Sequence, residues 1–300
     1  MVLRAEIPVS PFDLKATTAQ QLHGKFDPTG RSNSDALLKV HTNSEASTTV
    51  WRITQTDTGA VVEVENDRDG LFETVTKQFP LSDGAEDFQP EHPLLAKLAS
   101  AKRGLRLMRV PWTFDIAAGA VLQQRVRWQD AYNDFRKIAV AWGTKTPAGV
   151  AFPSSTQLAK VPLFRLESIG LDPKRARALH VLARTDAKLR FLHPNADIKA
   201  VRARMMSLPG IGPWTTALVA GYALGDADAV PIGDLHLPSL VTGALAGEED
   251  GTDERMLELL EPYRGQRFRV IRLLSWAARR APHVLRQRIT LACDRAISSE

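Results

Sequence analysis

Two hydrophobic rhythms divide the chain near residue 90. Before it, apolar residues alternate with polar ones. Thr49-Val50-Trp51-Arg52-Ile53-Thr54 and Ala60-Val61-Val62-Glu63-Val64, joined through Asp57-Thr58-Gly59, predict a β-hairpin. Leu37 to Val40 and Glu73 to Thr76 predict further strands. Ser82-Asp83-Gly84 and the Pro90/Pro93 pair mark an exit from this region.

After Thr113 the spacing becomes helical. Phe114 to Ala141 has spaced apolar positions and few breakers; Thr156 to Ser168 and Lys174 to Ala183 follow, separated by Gly170 and Pro173. Ala200 to Leu208 places Val201, Met205 and Leu208 on one face, Thr215 to Leu224 ends at Gly225, and Val270 to Ala278 is strongly apolar on one side. The expectation is a mainly α protein with an N-terminal α+β domain: residues 1–90 mainly antiparallel β, residues 91–300 a helical bundle.

The composition is that of an ordinary globular chain, with 44% hydrophobic and 24% charged residues among 300. A single cysteine, Cys293, excludes an intramolecular disulfide and an all-cysteine metal cluster, which suits a cytoplasmic location. The N-terminus lacks the apolar core of a signal peptide, and no apolar run approaches a membrane span. Net charge is only +5, but residues 171–204 hold nine Lys/Arg against three Asp/Glu, and residues 262–300 hold nine against two. Such segregation predicts a local positive surface suited to phosphate.

The stretch richest in chemistry is Met205 to Leu237. Leu208-Pro209-Gly210-Ile211-Gly212-Pro213-Trp214-Thr215-Thr216 sets two glycines between two predicted helices. Glycine permits φ > 0 in a tight turn and lets the backbone approach a bulky ligand. The turn N–H groups beside a helix N-terminus suit a phosphate. Pro231-Ile232-Gly233-Asp234-Leu235 then supplies a lone carboxylate. From the residues alone, Asp234 is a helix cap or a functional acid. A dinucleotide-binding fingerprint over the same glycines is weak, because the preceding segment is helical and Thr215 stands at the third glycine position.

Leu208 to Thr216 followed by Pro231-Ile232-Gly233-Asp234-Leu235-His236-Leu237 resembles the 3-methyladenine DNA glycosylase II family of helix-hairpin-helix base-excision glycosylases. The likeness extends through His92 to Arg106, Ala120 to Gln124, Asp197 to Thr216 and the segment ending at Trp276, covering about residues 90–280. It implies a helix-hairpin-helix bundle acting on duplex DNA as a monomer, with no membrane.

Asp234 is implied as the catalytic acid, stabilising a cationic sugar or activating water. Trp214 stands where strand-cutting relatives carry a lysine, so a monofunctional enzyme is implied. The base pocket would comprise Trp214, Trp276, Leu218, Tyr222 and Leu235; two of these, Leu218 and Leu235, are aliphatic where the family is aromatic. DNA contacts are implied at Gly210, Gly212, Thr215 and Gln124, with Arg125 at the position of the duplex-inserting residue, as a wedge or only as a phosphate contact. No cofactor is implied and no side-chain metal site; a sodium or potassium ion on the hairpin carbonyls is a further implication. The rival reading is a non-catalytic helix-hairpin-helix DNA-binding protein.

Overall fold

A computed structural model describes residues 1–43, 46–79 and 83–280. Ser82 and Cys293, and part of the second basic segment, lie outside the described residues.

The chain opens with β1 (Val2–Pro8) and a short helix α1 (Leu14–Thr18), then β2 (Gly30–Ser32), β3 (Ala36–Thr42), β4 (Thr48–Thr56) and β5 (Gly59–Glu65). These strands make one antiparallel sheet in the order β1-β5-β4-β3-β2. The expected hairpin is β4–β5, paired from Thr56↔Gly59 to Val50↔Glu65. Its alternation buries Trp51, Ile53, Val62 and Val64 on one face.

Where a strand is predicted at Glu73 to Thr76, the chain forms helix α2 (Leu71–Gln78). The β-branched run Thr74-Val75-Thr76 suggested a strand. Tertiary context decides otherwise: the Asp67 carboxylate accepts from the N–H groups of Leu71 and Phe72, and Val75 and Phe79 bury themselves in the core.

Helices then dominate, beginning with α3 (Pro93–Ala101) and α4 (Thr113–Leu122). The span from Phe114 to Ala141 is not one helix. It breaks after α4, at residues 123–127, before α5 (Trp128–Trp142), and Arg125 adopts φ +57° in the break. No glycine or proline marks this break in the sequence. A two-stranded hairpin of β6 (Thr144–Thr146) and β7 (Gly149–Ala151) follows, as do α6 (Ser155–Leu158) and α7 (Leu163–Ser168), which divide the single helix expected there.

The remaining helices are α8 (Pro173–Leu189), α9 (Ile198–Met206), α10 (Pro213–Leu224), α11 (Leu237–Ala246), α12 (Asp253–Leu260) and α13 (Arg267–Arg280). Their starts are chemically marked. Asp172 caps α8 through the N–H groups of Lys174 and Arg175, and Asp197 caps α9 through that of Ala200. Gly225 ends α10 at φ +68°.

One core runs from the sheet through α4, α5, α8 and α9, and a second packs α3, α11, α12 and α13 against the other side of α10. The sheet is joined to the helices by polar contacts as well. Lys39, fully buried, pairs with Asp115 at 3.2 Å, and Gln21 accepts from Trp112 Nε1 at 2.7 Å while donating to the Tyr222 carbonyl at 2.9 Å. Among the described residues, no helix is long and apolar enough to cross a membrane.

Buried charge makes this junction acid-sensitive. Burial, helped by Lys39, pushes His41 down to about 3. The folded state therefore binds fewer protons than the unfolded chain between about pH 6.5 and 3, and stability is lost as pH falls through that window. From pH 8 to pH 5 His41 alone is expected to cost about 2 kcal/mol. Urea unfolding of wild type and His41→Gln at both pH values checks this: the variant should lose less stability by that amount, and equal losses would dismiss the assignment.

Candidate DNA-facing active site

The hairpin between α9 and α10 has the geometry that its glycines suggest. Gly210 sits at φ +82°, and Ile211 N–H closes the turn on the Leu208 carbonyl at 3.1 Å. A Cβ at Gly210 would stand 3.0 Å from that of Ala178, so this glycine is also packed closely on α8. At Gly212 a Cβ would meet nothing within 4 Å. Packing within the chain does not require glycine there, which leaves the bare backbone open to a ligand. Pro213 occupies the first turn of α10, where its missing N–H costs no helical bond.

Asp234 lies 20 residues beyond Trp214 in sequence and is joined to it in space. Trp214 Nε1 donates to Asp234 Oδ2 at 2.7 Å. The other oxygen, Oδ1, accepts from the N–H groups of His236 and Leu237 at 2.8 and 2.9 Å, at the start of α11. Pro238 falls in that first helical turn and is tolerated there. Asp234 thus does what a helix cap does, and its carboxylate is simultaneously fixed against the hairpin helix. Charge-assisted bonds from N–H donors are the strong kind, so the orientation is well determined.

A second acid supports this loop. Asp253, the first residue of α12, accepts from Gly233 N–H at 2.8 Å, and its Oδ1 is buried without a hydrogen-bond partner among the described residues. Sequence reading expects no second carboxylate beside Asp234; a helix start 20 residues beyond Gly233 carries no signal that it folds back there. The acids nearer in sequence are engaged elsewhere: Asp226 pairs with Arg202 and Asp228 with Arg267.

The other expected pocket residues divide into two groups. Trp214, Leu218 and Tyr222 follow one another at four-residue spacing and share one stripe of α10. Tyr222 meets Phe268 edge-on at 5.0 Å, and the Arg272 guanidinium lies over its ring at 5.1 Å. Trp276 is one turn beyond Arg272 on α13, 7% exposed in the second core, with the Lys102 ammonium 4.6 Å over its ring. Leu235 is the opposite case, 85% exposed. Two cavities of about 720 and 560 Å³ are lined by other residues, and neither Asp234 nor Trp214 borders them.

Gln124 couples the break after α4 to the hairpin, its amide donating to the Gly210 carbonyl at 3.0 Å and to Thr215 Oγ1 at 2.9 Å. Thr215 is 2% exposed, backbone included, so its hydroxyl serves this bond and the residue offers almost no surface to DNA. Residues 125–129 are all exposed, and Arg125 projects from a left-handed backbone position uncommon for a non-glycine. A cation on the hairpin carbonyls would find the Gly210 and Leu208 oxygens already accepting hydrogen bonds. The fit is partial. Among the described residues no group of three or more His, Cys, Asp or Glu is placed to hold a metal.

The basic segments are less superficial than their counts suggest. Arg175, Arg269 and Arg272 are buried, and Arg175 is spent on Asp134 and the Leu122 carbonyl. Charge counting could not separate these structural arginines from surface ones.

No family model matches the chain. It is 30% identical over 151 residues to a Mycobacterium tuberculosis protein named probable bifunctional transcriptional activator/DNA repair enzyme AlkA, covering 48% of this chain and 30% of that one. It is 30% identical over 126 residues to DNA-3-methyladenine glycosylase 2 of Escherichia coli, covering 40% of this chain and 44% of the relative. The chain therefore spans less than half the length of both. Among solved structures, a 3-methyladenine DNA-glycosylase from Archaeoglobus fulgidus superposes with a TM-score of 0.71 at 18% identity, over 91% of this chain and 98% of that one. A Clostridium acetobutylicum 8-oxoguanine glycosylase/lyase bound to DNA gives 0.67 at 14% identity, over 93% and 97%.

Proposed function

We propose that this chain, which belongs to the helix-hairpin-helix DNA glycosylase superfamily, is a monofunctional DNA glycosylase that hydrolyses the N-glycosidic bond of alkylated purines in duplex DNA, a step of base-excision repair. The observation that carries the reading is the Trp214–Asp234 hydrogen bond, which fixes a carboxylate against the first turn of the hairpin helix.

The chemistry follows from that placement. The hairpin N–H groups and the dipole of α10 hold a backbone phosphate. The target nucleotide is then extruded, at an unstacking cost of a few kcal/mol, which the Arg125 segment offsets by filling the gap. As the base departs, its sugar becomes an oxocarbenium-like cation. The Asp234 carboxylate stabilises that charge, or takes the proton of the water that attacks it. Stabilisation of this kind needs no reorganisation, because three N–H donors already hold the carboxylate. Trp214 offers a face on which a flipped base can stack, and a cationic base gains most from it.

The same bonds to His236 and Leu237 are what a non-catalytic helix-hairpin-helix protein would need, so the decisive test is chemical. Duplex DNA bearing 7-methylguanine should yield free base and an intact strand. Borohydride added during the reaction should trap no covalent protein–DNA adduct, since an indole at Trp214 cannot form a Schiff base. Binding without release would favour the non-catalytic protein. A trapped adduct would place a lysine nucleophile elsewhere and reject the monofunctional assignment.

A further inference from the structure

Of the nine Lys and Arg residues between 171 and 204, Arg175 is spent on Asp134 and Arg202 on Asp226. Four of the others share one side of α8. Lys174, Arg177, Arg184 and Lys188 recur at intervals of three, seven and four residues. At about 3.6 residues per turn this confines them to roughly 80° of the helix surface. All four are exposed, and among the described residues none has a side-chain hydrogen bond or an ion pair. The only acid of the helix, Asp186, is buried and accepts from Leu192 N–H. Elsewhere on the surface such charges are neutralised locally: Arg127 meets Asp130, Arg255 meets Glu248 and Glu258, and Arg264 meets Glu261. Like charges three and four residues apart weaken a helix by their repulsion, so the row carries a cost that a polyanion would relieve.

The row begins at the hairpin. Gly210 packs on α8 at Ala178, where a Cβ on the glycine would stand 3.0 Å from the alanine's own. Ala178 lies four residues after Lys174 and one after Arg177, and helical period sets residues 174 and 178 side by side. In the same turns of α8, Arg175 Nη1 donates at 2.8 Å to the carbonyl of Leu122, which ends α4 just before Gln124 and Arg125. The start of α8 thus adjoins both proposed DNA contacts, and the row runs on from there. From Lys174 to Lys188 the helix rises about 21 Å, of which about 15 Å lies beyond Ala178. A duplex strand presents one phosphate per about 3.4 Å of axis, so the row matches the length of about six base pairs.

We propose that this row continues the phosphate site of the hairpin along α8, so that Arg184 and Lys188 engage the duplex backbone about four base pairs to one side of the lesion. The inference rests on the DNA-binding part of the reading above and not on its chemistry. It gives the row a function, sequence-independent affinity through counterion release, which holds the protein on undamaged duplex beside a lesion. It also makes the footprint uneven, because α8 leaves the hairpin in one direction only.

The test uses the full chain and duplexes carrying a tetrahydrofuran abasic analogue, with affinity read by fluorescence anisotropy. On a duplex of about 20 base pairs with a central analogue, Arg184→Gln/Lys188→Gln should bind roughly tenfold more weakly than wild type at about 0.1 M salt. Its slope of log affinity against log salt should be shallower by about 2. Two further duplexes place the analogue about three base pairs from one end or from the other, and the variant should lose affinity for only one of them. Arg31→Gln/Lys145→Gln removes the same charge from exposed positions on β2 and β6. It should stay within about twofold of wild type, since charges more than a Debye length of about 10 Å away are screened. All four side chains are exposed, and an unchanged thermal midpoint checks that the variants fold. Unaltered affinity and slope in the α8 variant, beside a wild type that binds, would overturn this inference alone. So would an equal loss on both off-centre duplexes, or an equal loss in the strand variant, which would reduce the effect to net charge. Wild type without salt-dependent affinity for any duplex would remove DNA as the partner, and the inference with it.

Discussion

Asp234→Asn should reduce single-turnover base release by on the order of 10²–10³ while leaving affinity for a lesion-bearing duplex close to wild type. The substitution preserves shape and one carbonyl oxygen, so the N–H groups of His236 and Leu237 keep an acceptor and α11 keeps its start. What it removes is the negative charge beside the developing sugar cation, together with the oxygen that accepts from Trp214 Nε1. Loss of that interaction is felt in the transition state and hardly in the ground state, so the rate and not the affinity should fall. Asp253→Ala provides the contrast. Its carboxylate holds the Gly233 N–H, behind the loop that carries Asp234, so a smaller loss of rate is expected from loosened positioning. Release rates and fluorescence anisotropy on the same duplex separate the two effects. Undiminished turnover in Asp234→Asn would leave this residue only its capping role.

The hairpin was legible in sequence because each part has a local cause. Glycines at Gly210 and Gly212 allow the turn, Pro213 suits a first helical turn, and Gly225 ends the helix. The β4–β5 pair was equally clear from strict alternation around Asp57-Thr58-Gly59. The misses have other causes, a local side-chain cap together with burial in one case and a distant contact in the other. The helix α2 is held by the Asp67 carboxylate and by its burial against the core, against the strand preference of Thr74-Val75-Thr76. The break after α4 contains no glycine or proline, and Gln124 anchors it to a hairpin 86 residues further on.

The residues that sequence reading grouped as one base pocket are held by different forces. Trp214, Leu218 and Tyr222 share a stripe because helical period places them there. Trp276 answers to the second core and to Lys102, and Leu235 to the exposed turn that carries Asp234. Helix period transmits information over a turn or two, whereas the joining of α10 to α13 depends on Phe268 and Arg272 meeting Tyr222. A family resemblance can suggest that such residues are neighbours, but packing decides how much of each ring a ligand can reach.

Duplexes carrying 3-methyladenine or 7-methylguanine should lose their bases at least about 10²-fold faster than a matched duplex carrying 8-oxoguanine. Alkylation at N3 or N7 makes the purine cationic, so it leaves readily and needs little protonation. A neutral base leaves poorly without a general acid, and positioned acids typically contribute about 10²–10⁴ in rate. Around Asp234 the carboxylate itself already accepts from three N–H donors, and Asp253 sits behind the loop with one oxygen on Gly233 N–H, while the neighbouring Trp214 indole carries no acidic proton to give a departing base. The stripe of α10 further favours charge, since each aromatic face is worth roughly 0.5–2 kcal/mol to a cation and Leu218 offers no polar atom with which to read a carbonyl at C8. The fold by itself does not choose between these substrates, because a 3-methyladenine glycosylase and an 8-oxoguanine glycosylase/lyase both superpose on this chain at under 20% identity. The choice therefore rests on side chains, and release rates measured on the three duplexes under single-turnover conditions decide it. A higher rate on 8-oxoguanine would reject the alkylpurine assignment and point to a general acid supplied from outside the Trp214–Asp234 pair, with the hairpin and its carboxylate keeping their roles in binding and sugar stabilisation.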